Sequence, residues 1–229
     1  MKTQKKVFRS IGTKTIQSNM KNGAILFSVC LFQASSMFSQ SQTYDNFEGN
    51  KVVHYGVKTG VLDTLAENPA HNSINGSKKC AKYVRNGKQK FDNIKMNLFA
   101  KLTGVDKYAT YTGVPSTFSM KVYTTAPVGT LIEIQLGKNG KHEYPAGINS
   151  IYQAHTTVIN AWEVVQFKFS QIPKGSETSE IQVDEIIVMF NPNSLTSDTY
   201  YFDDITGPSL VPQKAESLAT PANNKSTSK

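Results

Sequence analysis

Two adjacent aspartates close an aromatic segment late in the chain, and their chemistry suits the binding of a cation. The segment is Tyr-Tyr-Phe-Asp-Asp-Ile over residues 200–205, so the aspartates are Asp203 and Asp204. Neighbouring carboxylates are poor strand formers, and a hard cation with oxygen ligands, such as calcium, would compensate for them. If the first and last strands are neighbours, Asp45 or Glu48 completes such a site. The alternative is that both aspartates hydrogen-bond a turn.

The other chemistry-bearing residues match no catalytic template. The four histidines are not spaced as a helical metal pair, and no serine stands in a Gly-x-Ser-x-Gly nucleophile motif. Glycines are scattered singly through predicted turns, so no phosphate-binding loop is indicated. Two carboxylates from distant strands could still act as acid and base, because residues 41–207 contain 16 acidic side chains. A glycoside hydrolase or polysaccharide lyase built on a β-sandwich therefore stays open as an alternative function.

The first forty residues have the pattern of a secretory signal peptide. Residues 1–40 carry six basic and no acidic side chains, an apolar run at 24–32, and small residues between 34 and 39. The run is shorter than the roughly 20 apolar residues of a membrane-spanning helix, so no membrane span is expected. We expect cleavage near Ser39 or Gln40 and a protein that is secreted, periplasmic or on the cell surface of a bacterium. Acylation of Cys30 would instead make it a lipoprotein.

The net charge of +8 does not indicate a nucleic-acid partner, because it is concentrated at the two ends of the chain. Residues 41–207 hold 16 basic and 16 acidic side chains, whereas phosphate binding requires clustered lysine and arginine. Residues 208–229 are polar without a periodic apolar run, which predicts a flexible tail. Cys80 is the only cysteine after the leader, so it is expected to be a buried small hydrophobe.

The stretch between leader and tail has the two-residue period of half-buried strands, and residues 41–207 are predicted to form one β-sandwich domain. The alternation is clearest at 117–123, 130–136 and 165–169. Further strands are predicted at 51–58, 78–85, 90–98, 151–158, 184–190 and 199–205. No segment of ten residues shows helical periodicity. This pattern favours an all-β fold, an antiparallel two-sheet β-sandwich of the jelly-roll type with eight to ten strands.

Four segments, in this order along the chain, resemble a jelly-roll carbohydrate-binding module of the galactose-binding-like superfamily. The resemblance covers residues 44–206, and its segments are Tyr44 to Gly49, the Asn68-Pro69 loop leading through Asn75-Gly76-Ser77 to Tyr83, Trp162-Glu163 before Phe167 and Phe169, and the closing Tyr200 to Ile205. Such modules carry a structural calcium between the first and last strands. The resemblance assigns the metal ligands to Glu48 and Asp203, with Asp45 and Asp204 as further contributors.

The resemblance also implies a monomeric, non-catalytic binder of a polysaccharide or oligosaccharide. Sugar recognition needs aromatic faces that stack on pyranose C–H groups, flanked by polar side chains that bond hydroxyls. The residues predicted to contact the glycan are Tyr83, Arg85, Tyr123, Gln135 and Tyr152. Exposed rings are also expected at the loop residues Tyr108, Tyr111 and Tyr144, while Trp162 is expected to close the sandwich end. An adhesive or structural surface protein without sugar affinity is the remaining alternative.

Overall fold

The computed structural model describes residues 41–111, 118–140 and 144–211. The predicted leader and most of the predicted tail lie outside the described residues. The described chain is almost entirely β-structure, with one four-residue helix, α1 (Val105–Tyr108). The strands are β1 (Ser41–Asp45), β2 (Val53–Lys58), β3 (Val61–Glu67), β4 (Lys79–Val84), β5 (Ile94–Leu98), β6 (Phe118–Thr124), β7 (Leu131–Gly137), β8 (Gly147–His155), β9 (Trp162–Gln171), β10 (Ser176–Glu177), β11 (Glu185–Phe190) and β12 (Thr199–Pro208).

The strands form two sheets that share β9. The front sheet has the order β2-β5-β11-β7-β8-β9, and the back sheet has the order β9-β6-β12-β4-β3, with β1 also paired to β12. Residues 162–167 of β9 pair with β6, and residues 168–171 pair with β8. All of these pairings are antiparallel, and only the two-residue β10 pairs in parallel, with β8. The prediction of an all-β antiparallel two-sheet sandwich is confirmed.

The core lies between the sheets and follows the alternation of the strands. In β6, Phe118, Met120 and Val122 are buried, whereas the residues between them are partly exposed. Aromatic rings from both sheets meet in the centre: Phe190 of the front sheet stacks on Tyr200 of the back sheet at 4.4 Å between ring centroids and lies 5.5 Å from the ring of Phe202. Burial of such large rings provides much of the apolar area removed from water.

Strands β1, β3 and β10 are additions to the predicted elements. In β3 the alternation is hidden because it is an edge strand, with Val61 69% and Leu65 70% exposed. The last strand also runs past the predicted domain boundary at 207. It continues to Pro208, and Leu210 then bridges to Leu102, so the folded domain reaches three residues beyond that boundary. The hydroxyl of Tyr44 donates to the carbonyl of Pro208 at 2.7 Å, which fastens β1 to this end.

Cys80 is a core residue. The thiol of Cys80 is buried, and its burial raises its pKa to about 12. A thiol with that pKa stays protonated at neutral pH, which suits the expected packing role. Within residues 41–111, 118–140 and 144–211, no helix has the length and apolar character needed to cross a membrane.

Candidate functional site

A groove of about 600 Å³ lies on the outer face of the front sheet. Its floor is a row of side chains set side by side by the strand register. Lys95 pairs with Ile187, Ile187 with Gln135, Gln135 with Ile151, and Ile151 with Gln171. The row therefore crosses five strands and alternates long polar side chains with isoleucines, because residues in register project from the same face of a sheet.

Loops at the strand ends supply the walls of the groove. The β4–β5 loop contributes Phe91 and Asn93, the β7–β8 loop contributes Tyr144, and the β11–β12 loop contributes Pro192 and Asn193. The rings of Phe91 and Tyr144 are 61% and 57% exposed. Large exposed rings beside a groove are available to stack on the apolar face of a ligand.

The centre of the floor holds a carboxylate fixed by two amides. Glu133 is only 8% exposed. Its Oε1 accepts a hydrogen bond from Nε2 of Gln135 at 3.0 Å, and its Oε2 accepts one from Nε2 of Gln153 at 2.7 Å. The carboxylate also affects Tyr144 of the groove wall. Burial, and then the negative charge of Glu133, raise the pKa of the Tyr144 hydroxyl, which is protonated at neutral pH. The groove thus combines exposed rings with a rigid set of hydrogen-bonding groups.

The buried carboxylates on this face are not spaced as a catalytic pair. Besides Glu133, the front sheet carries Glu185 on the same face, where it is 7% exposed and ion-paired to Lys95 at 3.6 Å. Glu185 pairs with Gly137, four residues along β7 from Glu133. Four residues of strand span about 13 Å, whereas glycosidic acid and base groups lie about 5 to 9.5 Å apart. The main-chain positions of the two glutamates are thus farther apart than the carboxyl groups of such a pair.

The structure does not bring together the five residues predicted to contact a glycan. Gln135 lies in the groove floor. Tyr123 is partly exposed on the outer face of the back sheet, with its ring centroid 5.9 Å from those of Trp162 and Tyr201. Tyr83, Arg85 and Tyr152 are in the interior, at 0 to 3% exposure. A glycan cannot reach these last three, so they are corrected from surface residues to core residues.

Tyr83 and Tyr152 lie on the strand faces that point into the core. In β4, Tyr83 alternates with the partly exposed Lys82 and Val84, so its ring points between the sheets. Tyr152 pairs with Ile134 and shares its inward direction. Alternation in the sequence shows which residues share a face, but the buried face is chosen by the packing of the second sheet.

The groove rings come from loops, and the sequence indicated only one of them. Tyr144 was expected to be exposed because it lies in a loop, and it lines the groove. Phe91 fell inside a predicted strand, 90–98, but β5 begins only at Ile94, which leaves Phe91 in the loop. Tyr111 is exposed and packs its ring at 4.9 Å from that of Phe169, away from the groove lining. The side chain of Tyr108 lies outside the described part of the chain.

Arg85 clamps the two loops at one end of the groove. Its Nη1 donates to Oγ of Ser194 at 2.9 Å and to the carbonyl of Thr196 at 2.8 Å, while Nη2 donates to the carbonyl of Gln89 at 3.3 Å. Its Nε lies 3.8 Å from Oδ2 of Asp92, and both side chains are fully buried. Arg85 thus joins the β4–β5 loop to the β11–β12 loop, and these loops carry four of the groove residues.

The four predicted metal ligands divide into two buried and two more exposed carboxylates. Asp203 is fully buried, with Oδ2 accepting from Nδ2 of Asn75 at 3.0 Å and Oδ1 accepting from the backbone N–H of Asp204 at 2.8 Å. Asp45 is 3% exposed and accepts from the hydroxyl of Tyr55 at 3.1 Å and from the backbone N–H of Phe47. Burial raises the pKa of both carboxyl groups.

Glu48 and Asp204 make other contacts. Glu48 is exposed, and its Oε1 accepts from the backbone N–H groups of Lys78 and Lys79 at 2.5 and 3.3 Å. Asp204 has a positive φ of 46° and forms an ion pair with Lys121 at 2.6 Å. Strands β1 and β12 are neighbours, as the calcium prediction required. Among the described residues, no three acidic, histidine or cysteine side chains gather as a ligand group.

Comparisons with known proteins found likenesses in structure. No family model matches the chain, and no curated protein matches it. Similar solved structures include the family 11 carbohydrate-binding module of a cellulosomal cellulase of Clostridium thermocellum, at 13% identity and a TM-score of 0.44, covering 75% of this chain and 96% of that one. A family 30 module of another cellulosomal cellulase of Clostridium thermocellum has 13% identity and a TM-score of 0.41, covering 68% and 90%.

An exo-beta-agarase is also similar, at 9% identity and a TM-score of 0.44. It matches 74% of this chain, but this chain spans only 24% of its length. Carbohydrate-binding modules with a jelly-roll fold are thus among the solved structures that resemble this chain.

The Arg85 clamp predicts a large loss of stability when its charge is removed. Arg85→Met leaves Asp92 buried without a cation, which should lower the free energy of unfolding by about 3–5 kcal/mol. Urea denaturation measures the change. Lys88→Met, at an exposed lysine of the same loop, is the control and should stay within about 0.5 kcal/mol of wild type. A loss below about 1 kcal/mol for Arg85→Met would show that the clamp does not hold the loops.

Proposed function

We propose that the protein is a non-catalytic carbohydrate-binding protein whose front-sheet groove binds a polysaccharide chain. The supporting observation is the groove itself, in which two exposed rings, Phe91 and Tyr144, border a floor of amide, carboxylate and isoleucine side chains. A sugar ring has apolar C–H faces and hydroxyl edges, so it requires this combination of stacking surfaces and hydrogen-bonding groups. A volume of about 600 Å³ lies within the range of small-ligand sites.

The two alternative functions receive less support from this surface. A hydrolase or lyase in the groove would need an acid and a base within reach of one bond, and the main-chain positions of Glu133 and Glu185 are about 13 Å apart along the sheet. An adhesive protein without sugar affinity would not require exposed rings around a polar floor.

The groove proposal predicts that removal of either ring weakens glycan binding. Full-chain protein would be tested for retention on a panel of insoluble polysaccharides, followed by an assay for released oligosaccharides. Phe91→Ala or Tyr144→Ala should weaken binding to the retained glycan by roughly tenfold, because each loses one stacking contact. Phe99→Ala is the matched control, since Phe99 is 55% exposed and does not line the groove.

The outcomes of this experiment separate the three functions. Retention without product, weakened by the groove variants alone, supports a binding protein. Release of oligosaccharides would make the protein an enzyme. Absence of retention on chemically diverse glycans would contradict the proposal and favour the adhesive alternative.

We propose in addition that a calcium ion lies between β1 and β12, with Asp45 and Asp203 as its buried carboxylate ligands. Support comes from their burial, because no lysine or arginine lies within ion-pair distance of either among the described residues. Burial, followed by the charge of Asp45 and a smaller effect from Asp203, raises the pKa of Tyr55, whose hydroxyl donates to Asp45. Calcium would supply positive charge there, and main-chain oxygens would complete its ligands. Glu48 and Asp204 stay proposed as outer contributors.

The calcium proposal predicts a chelator-dependent melting temperature. An ion that binds only the folded state stabilises it by about 2.7 kcal/mol at a concentration one hundred times its Kd, so excess chelator should lower the Tm. Asp203→Asn should abolish the difference between melts with calcium and with chelator, while Asp106→Asn, at an exposed residue of α1, should retain it. An identical wild-type Tm in both conditions would remove the calcium proposal.

We also propose export through the basic and apolar leader, with the mature protein in the periplasm, at the cell surface or secreted. The support is the leader pattern of residues 1–40. N-terminal sequencing of the exported protein should find a start near residue 40. A start at Cys30 carrying a lipid, lost in Cys30→Ser, would instead establish a lipoprotein, and recovery of intact protein only inside the cell would contradict export.

A further inference from the structure

We propose that the groove selects uncharged glycans, and that Glu133 sets this selectivity while it orients the amide of Gln135 to accept a sugar hydroxyl. This inference rests on the proposed glycan-binding function and specifies the ligand class of the same groove.

The orientation of the two amides follows from the chemistry of Glu133. An ionised carboxylate can only accept hydrogen bonds. Because its two oxygens lie 3.0 Å from Nε2 of Gln135 and 2.7 Å from Nε2 of Gln153, both amides must turn their N–H groups toward it. Their carbonyl oxygens then point elsewhere. Glu133 therefore acts as a positioning residue that removes the freedom of either amide to flip.

The two amide oxygens have different partners. Oε1 of Gln153 accepts a hydrogen bond from Oγ of Ser170 at 3.1 Å. Oε1 of Gln135 has no hydrogen-bond partner among the described residues, and Gln135 lines the groove. The floor thus presents a fixed acceptor to the ligand. A sugar hydroxyl is a donor that can satisfy it, whereas a carboxylate or sulfate group offers no proton.

The charges around the groove act in the same direction. Glu133 is held by neutral amides, and it forms no ion pair among the described residues. The five strands that cross the groove, β5, β11, β7, β8 and β9, carry two lysines among their described residues. Lys95 is two strands away and ion-paired to Glu185 at 3.6 Å, and Lys168 is two strands away on the other side, in register with Gln153. Two strand spacings are about 10 Å, roughly one Debye length in dilute salt.

Among the described residues, the formal charge nearest the middle of the floor is therefore negative. A uronate or sulfate group placed over Gln135 would be repelled at a separation of about 6 Å in a partly desolvated site. The effect is on the order of tenfold in affinity.

The experiment measures the affinity of the full chain for soluble polysaccharides by its retardation in native gels. The uncharged polymers are mixed-linkage β-glucan, hydroxyethyl cellulose, agarose and mannan. The anionic polymers are carboxymethyl cellulose, sulfated carrageenan, alginate and polygalacturonate. We expect binding to at least one uncharged polymer that is at least tenfold tighter than to any anionic one. Equal or tighter binding of an anionic polymer overturns the selectivity but leaves glycan binding intact, and no binding to any polymer overturns both.

The residue assignment is tested with two matched variants. Glu133→Gln should reduce the difference in affinity between uncharged and anionic polymers. It should also weaken binding to uncharged polymers severalfold, because one neighbouring amide can now flip. Asp106→Asn removes an exposed carboxylate of α1, outside the groove lining, and should leave this difference in affinity unchanged. If this difference in affinity is unchanged in Glu133→Gln, the proposed role of Glu133 in selectivity is overturned.

A wild-type measurement keeps the test independent of whether Glu133→Gln folds. Repulsion by a charge is screened by salt, so 0.5 M NaCl should reduce the difference in affinity between uncharged and anionic polymers. A difference that does not change with salt would show that anionic polymers are excluded by shape, which also overturns the proposal.

Discussion

The register of β7 between β11 and β8 is the constraint on which the groove depends. Ile132, Ile134 and Leu136 are fully buried between the sheets, so Glu133 and Gln135 must face outward. The same register sets Ile187 and Ile151 on either side of Gln135. A slip of one residue would place a carboxylate in the core and expose the isoleucines, so core burial fixes the groove floor as well.

Buried charges are stabilised in two ways in this molecule. Arg85 and Asp92 lie together, and Nη1 and Nη2 of the guanidinium bond loop oxygens, so the pair fixes two loops. Asp45 and Asp203 have amide, hydroxyl and backbone donors but, among the described residues, no lysine or arginine within ion-pair distance, and their pKa values are raised by burial. A carboxylate whose pKa is raised in the folded state makes the fold less stable as the pH rises through that pKa, and a bound cation would reverse this cost.

Much of the fold could be predicted from the sequence because strand period is a local property. Nine described strands overlap predicted ones. Strand β9 was predicted only over 165–169, although it spans Trp162–Gln171, and its first half pairs with one sheet and its second half with the other. The groove was harder to predict from the sequence. Alternation placed Tyr83 and Arg85 on one face without showing that this face is buried, and the groove row exists only through the register of five strands, which no local pattern contains.

The proposed cation site lies between two strands of the back sheet and the groove on the front sheet, and packed rings of the core connect them, in addition to the shared strand β9. Phe47, beside Asp45, packs its ring edge-on at 5.5 Å from that of Phe202, the neighbour of Asp203. Phe202 lies 5.5 Å from Phe190, which ends β11, and the same strand supplies Ile187 and Met189 to the groove. A close-packed core transmits small displacements. Loss of the cation would thus remove no ligand contact, and these three rings are one route through which it would affect binding.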